Sequence, residues 1–383
     1  MSNIIKVKIS SPGKVILHGE HSVVYKKPAL AAVVGVRTRL DLFEVCDSSV
    51  CVFHLNSLQC SFEIQISEIN TFVESFIQQQ GAAGLGKDLL LKRTREAVDA
   101  KFPDQSSVQV KTLHAIYYLL CGCLITSKNS ALSSGSVLKI SSELNIGAGL
   151  GSSASFGVCL ATAFLILTKQ ISSQQYASEE SLSLVSSWAF ESERVMHGNP
   201  SGVDNTICTY GGIVRFTKGE PFSQIEVPKP LHVLLVDSKV SRSTAKLVEK
   251  VAILRIKFPK LIDLLWDSME EVVEAATPIY QNLDDKENFG KLEELFRINN
   301  DLLSAIGVSH ESLEKIFSIA TRNKFSSKLT GAGGGGYAII LLPSDYKGRE
   351  NYSVLCKELI AAGFGITETT VGGRGLIVEK DDF

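Results

Sequence analysis

A chain of 383 residues is long enough for two domains or one large one. Its 39 Lys and Arg against 41 Asp and Glu leave no basic surplus of the kind that binds nucleic acid or an anionic membrane surface. The longest apolar run, near Phe156 to Leu167, is too short to span a bilayer, and no signal peptide or lipidation tail is visible. The eight cysteines are scattered without a C-x-x-C pair, which is the usage of reduced core residues in an intracellular protein.

Taken in order, Ile4 to Ile9 alternates as a strand, Ser10 to Lys14 forms a turn, and Val15 to Leu17 is a second short strand. That strand runs into His18-Gly19-Glu20-His21, so a lysine, a carboxylate and two imidazoles fall within eight residues. Such a group is either a solvated turn or a site. His18-Gly19-Glu20 has the H-x-E form of a zinc deaminase, but the P-C-x-x-C partner is missing. Leu30 to Val36 and Thr38 to Val45 continue a sheet, which Val50 to Phe53 and Cys60 to Ile66 extend. Helical periodicity takes over at Thr71 to Gln80, Leu85 to Ala100 and Val108 to Thr126. Gly81 to Lys87 copies a Walker A loop up to Asp88, where a carboxylate stands in place of the hydroxyl, and it follows a helix rather than a strand. The spacing predicts a loop between helices there.

The strand Val137 to Ser141 leads to Gly147-Ala148-Gly149-Leu150-Gly151-Ser152-Ser153-Ala154, and an apolar helix starts at Ser155. Strand, glycine-rich turn and helix start is an arrangement that binds phosphate, because glycines let the backbone approach an anion and the first helical N–H groups point at it. A tight turn capped by serines is the plainer alternative. A dinucleotide fingerprint is excluded by the G-x-G-x-G spacing and by the lack of an acidic residue near Thr168. In the helix Ser178 to Met196, Glu191 and Glu193 stand near the C-terminus, where the helix dipole disfavours them, and so invite magnesium or lysine. His197-Gly-Asn-Pro-Ser-Gly-Val-Asp-Asn205 reads as a shaped loop holding Asp204 and Asn205. Strands follow at Tyr210 to Phe216 and Leu231 to Val236. The polar, proline-rich stretch Gly219 to Pro230 between them places a domain boundary near residue 225, giving domains 1–225 and 226–383. Ser241-Arg-Ser-Thr244 opens a helical region as a cap or as a ligand contact. Lys328 to Leu342 carries a second glycine-rich loop, with five glycines among the six residues 331–336, into a strand. Another backbone or a ligand must approach closely there.

Three separated motifs, Pro12 to His21, Gly147 to Ala154 and Lys328 to Gly336, together resemble the GHMP family of small-molecule kinases over nearly the whole chain. Within it, HGEH and HGNPSGVDN are similar to the branch that phosphorylates mevalonate, rather than to galactokinases or phosphomevalonate kinases. The resemblance implies an α+β fold with an N-terminal mixed sheet plus helices, a C-terminal ferredoxin-like domain and an active cleft between them. It also implies ATP as co-substrate, Mg2+, and phosphorylation of the C5 hydroxyl of (R)-mevalonate in isoprenoid and sterol precursor synthesis. A homodimer, feedback inhibition by prenyl diphosphates and a cytoplasmic location, with a peroxisomal one left open, are further family expectations.

Residue by residue, the resemblance implies Asp204 as catalytic base with Lys14 as its partner, and His21, Glu20 and Thr244 around mevalonate. Ser142, Gly147, Ala148, Gly149, Leu150, Gly151, Ser152, Ser153, Gly333 and Gly334 are implied as ATP contacts, and Ser153 with Glu193 as Mg2+ ligands. Asn145-Ile146 departs from the two prolines that usually precede the loop in animal members. Phosphoryl transfer needs charge neutralisation and alignment more than covalent help, which suits such a set. Another kinase on the same fold, or an ATP-binding sensor without catalysis, is the alternative; the sensor should have lost Lys14, Glu193 or Asp204, and all three are present.

Overall fold

The computed structural model describes residues 5–80, 86–145, 147, 149–283 and 285–380. Its first half contains β1 (Lys6–His18), β2 (Ala29–Val45), β3 (Val50–Leu55), β4 (Cys60–Gln65), α1 (Ile66–Gln80), α2 (Lys87–Lys101), α3 (Ser107–Thr126), β5 (Gly135–Ser142), α4 (Ser152–Leu167), α5 (Glu179–His197), α6 (Val203–Tyr210), β6 (Ile213–Phe216) and β7 (Ser223–Ile225). The second half contains β8 (Leu231–Asp237), α7 (Thr244–Lys257), α8 (Pro259–Gln281), α9 (Lys286–Ala305), α10 (Glu311–Arg322), β9 (Ser327–Leu329), β10 (Tyr337–Leu341), α11 (Glu350–Ala361), β11 (Gly365–Val371) and β12 (Ile377–Lys380).

The N-terminal sheet is mixed: β3 runs parallel to β5, while β1 with β2, β2 with β5 and β3 with β4 are antiparallel. Helix α4 packs on β1 and β2 and is almost wholly buried, with α3 and α5 packed against it. Helix α3 is long and apolar enough to cross a membrane by length and composition alone. It is a core helix: 67% of its apolar window is buried within the protein. The C-terminal sheet has the order β11-β8-β10-β9, all neighbours antiparallel. With α7 to α10 between β8 and β9, and α11 between β10 and β11, this is the ferredoxin-like arrangement, and the two halves together form the expected α+β architecture.

Two expectations are corrected. The turn at Ser10 to Lys14 does not exist; β1 is one strand through Pro12, because Gly35 and Val36 bulge out of β2 between the pairs Pro12↔Arg37 and Gly13↔Val34. Likewise the two strands expected at 30–45 are one, β2, bent at this bulge. The loop expected at Gly81 to Gly86 lies, but for Gly86, outside the described residues.

The chain's last strand crosses back over the division near residue 225, since β12 pairs with β1. On the way Gly372 donates to Val33 and Gly212 to Gly373, and Gly211 forms a bridge with Arg374. At Gly211 the backbone has φ 82°, and a Cβ would meet the Gly375 nitrogen at 2.3 Å. Gly211→Ala is therefore expected to cost about 2–4 kcal/mol of stability, combining left-handed strain with the clash. Urea unfolding checks this, and a midpoint equal to the parent's would contradict it.

Candidate active site

The cleft between the halves has a volume of about 660 Å³ and is lined by β1, β5, the loop before α4, the ends of α5 and α6, the segment before α7 and the loop after β9. Its phosphate end is built by Gly147, Gly149 and Gly151, whose φ values are 75°, 84° and 72°. These positive φ values suit glycine, and the loop leads directly into the amino end of α4, where unpaired N–H groups favour an anion. Leu150 is buried and turns its carbonyl to the Lys14 amide, 2.8 Å away. Ser152 and Ser153 begin α4 and line the cleft. Ala148 lies outside the described residues. Ser142 holds the loop's approach, with its hydroxyl 2.9 Å from that of Thr38 and accepting from the Leu144 amide at 3.1 Å.

Lys14 Nζ lies 3.2 Å from Asp204 Oδ1. Asp204 is not in a loop, as the glycines and Pro200 suggested. Gly202 takes a left-handed conformation as N-cap, and the chain turns straight into α6 with Asp204 in its first turn, where the dipole favours a carboxylate. Asn205 faces inward and donates to the Ser186 carbonyl, 3.0 Å.

The two glutamates of α5 part company. Glu191 receives Lys87 and Arg194, each at 2.8 Å, and the Tyr118 hydroxyl at 3.0 Å. Burial opposes its ionisation, but Lys87 and Arg194 outweigh burial and hold the carboxyl below its ordinary range. Glu193 is also buried, yet its Oε1 has no hydrogen-bond partner. Burial pushes its pKa up to about 7; the Asp204 charge adds to this, while Ser153 and Lys14 oppose it. Ser153 Oγ is 3.0 Å from His197 Nε2. A buried carboxylate oxygen without a hydrogen bond, 4.0 Å from His197 Nε2 and in the same cleft as Ser153 and the glycine loop, fits a divalent cation that draws its other ligands from phosphates and water. Among the described residues no cluster of three His, Cys, Asp or Glu forms a self-sufficient metal site.

At the other end, His21 Nε2 donates to the Ala332 carbonyl at 2.9 Å, which leaves Nδ1 as the acceptor of the neutral ring. Burial lowers its pKa, against the Ala332 carbonyl and the Glu20 charge. Glu20 lines the cleft, and its carboxylate is held by Lys328 and by Asn299, 3.2 Å away. Thr244 begins α7 on the cleft wall. Gly333 and Gly334 do not line the cleft, although Gly331 and Ala332 do. They press on the backbone of Val308, where a Cβ on Gly333 would lie 2.1 Å from its carbonyl oxygen and the Gly334 amide donates to that oxygen at 2.8 Å.

Three groups were missed by sequence reasoning. Arg242 reaches between the two glycine loops: a Cβ on Gly149 would lie 1.8 Å, and one on Gly331 2.9 Å, from its Nη2. Its only sequence signal was a cation inside the Ser241–Thr244 cap. Lys111 of α3 also faces the cleft, near enough to His197 to lower its pKa along with burial. An apolar wall of Leu55, Leu58, Val108, Ile140, Phe156 and Met196 closes the side near Ser142. These residues come from six different segments of the chain and share no local pattern.

A glycine nest at a helix terminus, a lysine–aspartate pair and a lone buried carboxylate, set between domains of these two topologies, define a small-molecule phosphotransferase. Family models agree: "GHMP kinases N terminal domain" matches residues 115–212 and "GHMP kinases C terminal" residues 260–361. The chain is 36% identical to the mevalonate kinase of Bos taurus over 97% of its own length and 94% of that protein. It is 37% identical to that of Mus musculus over 96% and 94%. The crystal structure of the Methanococcus jannaschii mevalonate kinase superposes with a TM-score of 0.71 at 26% identity, covering 96% of this chain and 99% of that one. The chain belongs to the mevalonate kinase family of GHMP kinases.

The lone carboxylate has a measurable consequence. Because the Glu193 pKa is raised, to about 7, the folded metal-free protein binds a proton there that the unfolded chain releases nearer pH 4.5. Stability is therefore lost as pH rises through this window, by up to about 3 kcal/mol. In chelator, the parent is expected to lose stability from pH 5 to 8 while Glu193→Gln keeps it. Denaturation profiles of equal slope in the two proteins would contradict this.

Proposed function

We propose that this kinase transfers the γ-phosphoryl group of ATP to the C5 hydroxyl of (R)-mevalonate, giving 5-phosphomevalonate and ADP. The observation that carries the proposal is the Lys14–Asp204 pair, 3.2 Å apart, in the same cleft as the three-glycine loop. The relatives' names supply the alcohol: they are mevalonate kinases, similar over almost their full length.

In this reading the polyphosphate lies along the Gly147–Ser153 nest, where backbone N–H groups and the α4 dipole stabilise its charge. The apolar wall from Leu55 to Met196 takes the base. Ser153 and Glu193 would hold Mg2+, which when bound neutralises the β- and γ-phosphate oxygens. Asp204 accepts or orients the proton of the C5 hydroxyl as its oxygen bonds to the γ-phosphorus and the bond to the β-phosphate oxygen breaks, releasing ADP. Lys14 stabilises the oxygen as it attacks. His21, Thr244 and Arg242 surround the remainder of the alcohol, the guanidinium supplying positive charge for a carboxylate. The homodimer, feedback inhibition by prenyl diphosphates and cytoplasmic location belong to the same reading and rest on the family resemblance.

Asp204→Asn keeps the shape and removes the base, so turnover with mevalonate is expected to fall about 10²–10⁴-fold. Binding of a non-hydrolysable ATP analogue should be retained. Unchanged turnover would overturn the role of Asp204, and a parallel loss of nucleotide binding would show that it acts on the nucleotide instead.

A further inference from the structure

His21 occupies an unusual backbone position. Its φ is 64° and its ψ −48°, and the Ser22 amide donates to the Glu20 carbonyl at 2.8 Å. A three-residue turn closed by an i to i+2 hydrogen bond, with positive φ at a non-glycine centre, is a strained γ-turn. It persists only where its surroundings over-determine it.

Those surroundings come from the other half of the chain. The Glu20 carboxylate, 1% exposed with its residue, is paired with the ammonium of Lys328 in β9, which is wholly buried. Lys328 also donates to the Leu329 carbonyl at 2.7 Å, and its Nζ lies 5.8 Å from the centre of the Phe296 ring. Asn299 of α9 donates to the second Glu20 oxygen at 3.2 Å. Four residues beyond Lys328, the Ala332 carbonyl receives the His21 ring. Between them the Thr330 hydroxyl donates to the Ile16 carbonyl at 2.9 Å and accepts from the Ile16 amide at 3.0 Å.

We infer that Lys328 is a positioning residue: by fixing Glu20 it holds the strained turn that presents His21 to the alcohol. A buried charge pair is weak evidence for stability, because desolvation offsets attraction, but it does define one geometry. Burial pushes the Lys328 pKa down and the Glu20 charge opposes that, as for an ammonium retained for its partner. In contrast to Asp204 and Lys14, this pair acts through the backbone of residues 19–22. The kinetic half of the test rests on mevalonate as the alcohol; the exchange half does not.

The test compares Lys328→Met with the double variant Lys328→Met, Glu20→Gln, which leaves no unpaired buried charge and so stays folded if the single variant does not. Hydrogen exchange is followed without ligand across the His18–Lys27 segment, with α4 as internal reference. In the folded variant, exchange in that segment should be about tenfold faster or more, with α4 unchanged. The KM for mevalonate should rise about tenfold while the KM for ATP stays constant, since the phosphate loop is untouched. Parental exchange in that segment, or equal changes in both KM values, would overturn the inference. A parent that does not turn over mevalonate at all would refute the substrate assignment instead and leave the exchange result to judge Lys328.

Discussion

The hydrogen bond from the Lys14 amide to the Leu150 carbonyl, 2.8 Å long, ties β1 at Lys14 to the phosphate loop. Both sides must be bare for it to form. A Cβ on Gly13 would fall 2.6 Å from the Leu150 oxygen, and one on Gly151 2.8 Å from Lys14 Cγ. Two glycines far apart in the chain thus serve one approach of backbone to backbone. Lys14 comes to rest beside Asp204, and the amino end of α4 opens on the same space. The bulge at Gly35 and Val36 lets β1 run straight through Pro12 to reach that position.

Around this contact the site trades stability for readiness. Glu193 is buried without a hydrogen bond to one oxygen, the Glu20 carboxylate is spent on Lys328, and His21 sits in a strained turn. Each is a cost that a packed core alone would not impose, and each lies on the cleft wall or against it. Glu191, two residues from Glu193 on the same helix, shows the contrast. It meets two cations and a tyrosine hydroxyl and so is a structural anchor for the end of α5.

Local chemistry made part of this readable from the chain. The glycine-rich loop before α4 was legible because glycine spacing reports backbone conformation directly, and all three described glycines there have positive φ. The glycines near residue 333 were legible as a close approach, but not as an approach to Val308, which is remote in sequence. Asp204 was recognised as a held residue and assigned to a loop, since Pro200 and Gly202 hide a helix start that Gly202 itself caps. Arg242, just before α7, and Lys111, on a face of α3, escaped because a cation at either kind of position looks the same whether it meets solvent or a cleft. Lys328 was seen only as the start of a glycine-rich stretch. Its role depends on a carboxylate 308 positions away, brought to it by packing of the two halves.

A cleft built in this way should phosphorylate one small alcohol and leave its chemical neighbours untouched. ADP release should be measured from the full chain with magnesium and ATP, offering mevalonate, phosphomevalonate, mevalonate diphosphate, galactose and homoserine separately. Turnover with mevalonate alone is the expected result. Turnover confined to another of these compounds, or nucleotide binding without turnover of any, would contradict it.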